Sequence, residues 1–199
     1  MRRSTLVGLA AAAVLAASSA AIAGGLRWEL GIKTETPSWV KVSDGPGDRT
    51  RVVWYGCYTV ENKTGETRKP TVRCEIHTDT KKVFRDGGDA QAILALKKRA
   101  GNESLATAVD LRKGIDNDKS LRCVATFGAV DDRAKKLELR IYGLHDPVHQ
   151  VKGKEVHEIR YWRVQYERPG DEFGRTEDAW KTVSSGWVTE EPEKKAENP

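Results

Sequence analysis

The chain has no Cys-x-x-Cys pair and no Gly-x-Ser-x-Gly elbow, and no Glu follows His145 in the manner of a zinc protease. Its Gly45/Gly47 and Gly87-Gly88 loops lack the lysine and the helix context of a phosphate loop. The familiar signatures of thiol redox, serine-hydrolase, zincin and nucleotide chemistry are therefore missing. Cysteine is scarce: Cys57, Cys74 and Cys123 make an odd set, so at least one thiol stays unpaired unless it bridges to another chain. A chain of 199 residues buries a core without a disulfide framework. Charge of one sign is also lacking. The formal charge is +5, with 34 basic and 29 acidic residues, and acidic positions lie between most of the basic groups. That pattern argues against a nucleic-acid partner. No internal repeat is present, and no stretch beyond the N-terminal segment is apolar for long enough to span a bilayer.

What is there begins with that segment. Arg2 and Arg3 precede an apolar run from Leu6 to Ala17, and Ala21-Ile22-Ala23 forms a small-x-small site before Gly24. This reads as a secretory signal peptide over residues 1–23, cut between Ala23 and Gly24. The alternative is an uncleaved anchor. No cysteine follows the small residues, so a lipoprotein anchor is unsupported. Loss of Arg2 and Arg3 takes the formal charge from +5 to +3. The expected location is secreted or periplasmic, with no membrane span after the signal is removed.

Residues 24–50 carry two short strand patterns, Arg27 to Lys33 and Ser38 to Val42, then the turn-forming Asp44-Gly45-Pro46-Gly47-Asp48. The stretch from Arg51 to Asn62 is the strongest strand signal. Val52, Trp54, Tyr58 and Val60 alternate with Val53, Tyr55, Cys57 and Thr59, so both faces are apolar and the strand belongs in the interior. Val72, Cys74 and Ile76 form a half-buried strand, and Asp79-Thr80-Lys81 a tight turn. Residues 90–100 predict the one helix: Asp89 as N-cap, Ala92, Ile93, Leu96 and Ala100 on one face, Lys97 to Arg99 in the last turn, Gly101 as the stop. Alternation predicts further strands over 104–111, 121–127, 136–141, a long one over 155–167 with a change of phase, and a last one over 181–188. Residues 189–199 read as a disordered charged tail. The expected fold is all-β in the main, an antiparallel sandwich over 51–188 with one short inserted helix.

The order Val60-x-Asn62-x-Thr64, a Gly114 loop and a strand closing at Phe127 resembles the immunoglobulin-like sandwich domains of unknown function found in secreted bacterial proteins and lipoproteins. Lys113 stands where that pattern usually has proline. Arg168-Pro169-Gly170-Asp171-Glu172-Phe173 and Trp187-Val188 also look like features of such proteins. The resemblance implies an immunoglobulin-like fold and export. It implies no activity and supplies no catalytic residues. It also implies that Cys74 and Cys123 lie on facing sheets, where one bond between them is possible; free thiols are the favoured alternative.

Four groups of residues carry candidate chemistry. His145, His149 and His157 invite a metal, but Asp146-Pro147 places the first two in a loop, and the reading is loop polarity. Asp116-Asn117-Asp118-Lys119-Ser120 opens like a calcium loop, yet Leu121 and Phe127 occupy the places of the required Gly and Glu, leaving a polar turn. Asn62-Lys63-Thr64 and Asn102-Glu103-Ser104 match the glycosylation pattern, which carries nothing in a bacterial chain. Six tryptophans, Trp28, Trp39, Trp54, Trp162, Trp180 and Trp187, offer a carbohydrate platform or cover for the core. The expectation is a non-enzymatic binding or structural module of the cell envelope, without catalytic residues, metal or cofactor. Its partner would be an envelope protein or polysaccharide. The alternatives are a carbohydrate- or calcium-binding domain, or an enzyme with a loop-built site.

Overall fold

The computed structural model describes residues 28–44, 49–101, 104–151, 154–168 and 180–190, with the side chains of 149–151 excepted. The predicted signal segment with Ala23 and Gly24, and all of the charged tail beyond Glu190, lie outside the described residues.

Among the described residues the fold is mainly β, with two sheets, a hairpin and two short helices. In the first sheet, β3 (Thr50–Asn62) pairs along one edge with β1 (Gly31–Thr34) and β2 (Ser38–Ser43), and along the other with β6 (Lys119–Thr126), all antiparallel. The second sheet runs in the order β11 (Lys181–Thr189), β10 (Arg160–Glu167), β7 (Lys136–Tyr142), β4 (Arg73–Thr78), β5 (Val83–Arg85). β8 (Val148–Val151) and β9 (Lys154–His157) form a separate hairpin. Among the described residues no helix is long and apolar enough to cross a membrane.

The two-faced apolarity of β3 has two causes. Trp54, Tyr58 and Val60, with Cys123 and Ala125 of β6, pack against Cys74, Ile76, Leu139, Ile141 and Val164 of the second sheet. On the other face Val53 packs with Ala92, and Cys57 with Leu96, of the helix α1 (Ala90–Arg99). The result is three layers: helix, sheet, sheet. The helix begins as expected, with the Ala92 N–H donating to Asp89 Oδ1 at 2.9 Å. Arg51 of β3 holds the other oxygen of Asp89 at 2.6 Å and so fixes the helix to the strand beneath it.

Two strand expectations are corrected. Residues 104–111 are not a strand: Ala106 makes a single bridge to Cys123, and Ala108–Leu111 form a one-turn helix, α2. A capping box overrides the alternation. Asp110 accepts from the Thr107 N–H at 3.0 Å, and Thr107 Oγ1 accepts from the Asp110 N–H at 3.4 Å. Val109, which alternation would bury, is 64% exposed. Residues 155–167 are likewise two strands, β9 and β10, separated at Glu158 and Ile159. The change of apolar phase falls at that break. Trp162, Val164 and Tyr166 point inward, while Tyr161 faces outward beside Tyr142.

The Val-x-Asn-x-Thr motif has a structural task. The Asn62 amide is buried and fully bonded: Nδ2 donates to the carbonyls of Glu66 and Ile115, and Oδ1 accepts from the Thr64 N–H and hydroxyl. It thereby ties the end of β3 to the Gly114 loop, where φ is +117°.

Candidate ligand pocket

One end of the second sheet collects the last residues of β4 and β10 and the first residues of β7 and β11. The turn after β4, the β6–β7 connection and the chain flanking β10 and β11 meet the first sheet there, where β2 pairs with the early part of β3. Trp39 and Trp54 are direct cross-strand partners on the same face, with Val52 beside them. Trp180, immediately before β11, meets Trp54 edge-on, the ring centroids 6.2 Å apart at 76°. Together with Val130 these rings form the apolar wall of a pocket of about 530 Å³. That volume, an aromatic lining and a few convergent polar groups are the usual features of a small-ligand site.

The rim is charged. Asp131 is 4% exposed at its side chain and accepts from Lys82 Nζ at 2.8 Å, Thr80 Oγ1 at 3.0 Å and the Arg133 N–H at 3.1 Å. The bond from Lys82 leads these contacts in holding its carboxyl well below the ordinary carboxylate range. Arg168 is 8% exposed. Its guanidinium lies over the Trp180 ring at 5.2 Å and donates to the carbonyls of Asp132 and Ala134 at 2.8 and 3.0 Å. Outside the lining, Lys41 Nζ lies 5.9 Å from the centre of the Trp39 ring.

A second cleft of about 450 Å³ runs over the outer surface of the second sheet. It is lined by His77, Glu138, Arg140 and Gln165; Glu138 accepts from Arg140 Nε at 2.6 Å and from Gln165 Nε2 at 3.1 Å, and His77 meets Glu75 at 3.0 Å. It lacks the tryptophan wall of the first pocket.

The other sequence candidates separate. His145 is not loop polarity. It is 4% exposed, its Nε2 accepts from the Arg160 N–H at 2.9 Å, and its ring stacks on Trp187 at 6.1 Å and 9°. It serves packing, because a short polar connection enclosed by Trp187 and β10 needs an acceptor for a buried amide. His149 lies in β8 opposite Val156, and His157 is exposed beside Glu155. Among the described residues no group of three His, Cys, Asp or Glu is placed to hold a metal. Asp116 accepts from Thr67 Oγ1 and Asn117 from the Gly65 N–H, both at 2.8 Å, so the 116–120 segment is a pinned turn. Cys74 lies on the second sheet, and Cys57 and Cys123 on the first; all three are buried free thiols. Burial pushes Cys57 up to about 11, Cys123 up to about 12 and Cys74 further. Thiols so placed are poor nucleophiles.

The meeting of Trp39, Trp54 and Trp180 was not visible in strand patterns. One signal lay in the sequence: Trp39 and Trp54 are equidistant from the Pro46–Gly47 junction, so a hairpin centred there makes them partners. Trp180 gives no such signal. No protein family, curated protein or solved structure matches this chain.

Proposed function

We propose that this chain is an exported, non-enzymatic module of the cell envelope that binds a saccharide in the tryptophan pocket. The observation that supports it is the convergence of Trp39, Trp54 and Trp180 around a cavity of about 530 Å³. Indole faces pack against the apolar faces of sugar rings, while polar groups at the rim meet the hydroxyls. The non-enzymatic reading draws support from the occupation of the reactive groups. Asp131 is bonded on several sides, and the thiols are buried and protonated. Export is supported by Arg2-Arg3, the apolar run and Ala21-Ile22-Ala23. The immunoglobulin-like topology belongs to the same proposal, on the motif around Asn62 and Thr64.

Tryptophan fluorescence of the purified protein, titrated with a panel of envelope oligosaccharides, tests the reading. Binding should shift the emission, and Trp39→Ala should weaken it at least tenfold. Trp39 is the half-buried ring, so its removal spares the core. An emission unmoved by every saccharide would refute the site. An intact mass beginning at Met1 rather than Gly24 in protein from the exported fraction would refute cleavage.

A further inference from the structure

Resting on that pocket, we infer that its ligand is an acidic saccharide, one that bears a carboxylate, as uronic acids do. The described walls carry more positive than negative charge. Among the described residues three cations, Lys82, Arg133 and Arg168, line the cavity against two acids, Asp131 and Asp132. Asp131 is shielded and engaged by Lys82 and by donors from Thr80 and Arg133. Arg168 is the decisive group. It is more than nine-tenths buried, and the two hydrogen bonds of its guanidinium described above go to backbone carbonyls, which offer dipoles but no net charge. Among the described residues no carboxylate pairs with it, and a guanidinium so held in a low-dielectric wall favours an anion nearby.

The aromatic faces point the same way. A cationic ligand would seek the negative faces of indoles. Here the Trp180 face already carries Arg168 at 5.2 Å, and Trp39 carries Lys41 at 5.9 Å. Those cations repel a positive guest and add to the field that attracts a negative one. Arg133 lines the pocket with a side chain 71% exposed; its Nε lies 3.7 Å from Asp131 Oδ1, a loose pairing that leaves most of the guanidinium open to an arriving carboxylate. A sugar carrying a carboxylate satisfies both halves of the pocket: its apolar ring face against the half-buried Trp39 and the exposed Val52, the acid toward the guanidinium groups.

The test compares trisaccharides of glucuronic, galacturonic and mannuronic acid, each beside its carboxyl-reduced neutral form, by calorimetry on the purified protein. At least one acid should bind ten or more times tighter than its neutral form in 50 mM salt. That preference should shrink severalfold at 500 mM, because exposed charges are screened. Arg133→Gln should reduce the preference and Arg133→Lys should largely restore it. Equal or tighter binding of every neutral form would overturn the acidic-sugar inference while leaving the pocket intact. Failure of both forms in every pair, with neutral envelope glycans also silent, would overturn the pocket itself. Acetate alone displacing the acid completely would reduce the site to a simple anion site and overturn the saccharide assignment.

Discussion

Gly143 carries the sharpest stability prediction. It follows the last residue of β7 with φ at +80°. A Cβ there would lie 2.0 Å from the Thr71 carbonyl oxygen and 2.8 Å from its carbon. Both obstacles are backbone, and they cannot swing aside as a flexible side chain does. Thr71 precedes buried Val72 and the start of β4, while Leu144 is fully buried and its carbonyl accepts from Leu30 N–H at 2.8 Å. The left-handed φ alone costs an alanine about 1–2 kcal/mol. Forcing apart two packed segments adds about 1–3 kcal/mol. Gly143→Ala should therefore lose about 2–5 kcal/mol, a large part of the ~5–15 kcal/mol expected for a domain.

Two other glycines separate those terms. Gly65 has φ +87° and nothing within 4 Å of its would-be Cβ, so Gly65→Ala should show the backbone cost alone, about 1–2 kcal/mol. Gly56 lies within β3 and needs no positive φ. Its Cβ would rest 3.7 Å from Leu139 and Phe127, ordinary contact for a methyl group. Gly56→Ala should be neutral or stabilising by up to about 1 kcal/mol, through the smaller entropy of the unfolded chain. Urea unfolding of the three variants, followed by tryptophan fluorescence and circular dichroism with the slopes compared, gives the order directly. Gly143→Ala as stable as Gly65→Ala would show that the close approach to Thr71 is absent. Gly56→Ala less stable than Gly65→Ala would refute the placement of β3 against Leu139.

Alkylation of the native protein at pH 8 should be very slow, because Cys57, Cys74 and Cys123 are buried and their titration is pushed up to about 11 or beyond. Under denaturing, non-reducing conditions all three should label; a single labelled site would mean that a disulfide had formed. The Asp110 carboxyl is lowered to about 2 by its bond from Lys113 and then those from Thr107. A carboxyl lowered on folding stabilises above its unfolded value of about 3.9, and that contribution fades as pH falls toward 2. Asp110→Asn keeps an acceptor for Thr107 and should flatten the stability profile between about pH 4 and pH 2, and an unchanged profile would count against the pairing.

The parts of the fold legible in the sequence are those where one local rule acted alone. Alternation on both faces of β3 stated that something must cover each face, and the pairing with the second sheet and with α1 supplied both covers. The N-cap Asp89 and the basic last turn marked α1 because no competing pattern overlapped them. Where two rules overlapped, the shorter-range one prevailed. At Thr107 the capping box closes across three residues, whereas burial of Val109 would have needed a neighbouring strand. At Glu158 and Ile159 the shift of phase was visible, but a bulge and a break between two strands leave the same trace in the sequence. The misreading of His145 has a similar root. A Pro-containing loop is normally wet, and only the stack on Trp187, more than forty residues away, makes it dry. The pocket required still more. Trp39 and Trp54 meet through one hairpin, but Trp180 reaches them only because β10 and β7 hold the second sheet in register with β11 at the same end. The charge preference of that pocket therefore arises from the strand order. Arg168 directly follows β10 and Trp180 directly precedes β11, so the pairing of those two strands brings a buried guanidinium and an indole face together in the wall.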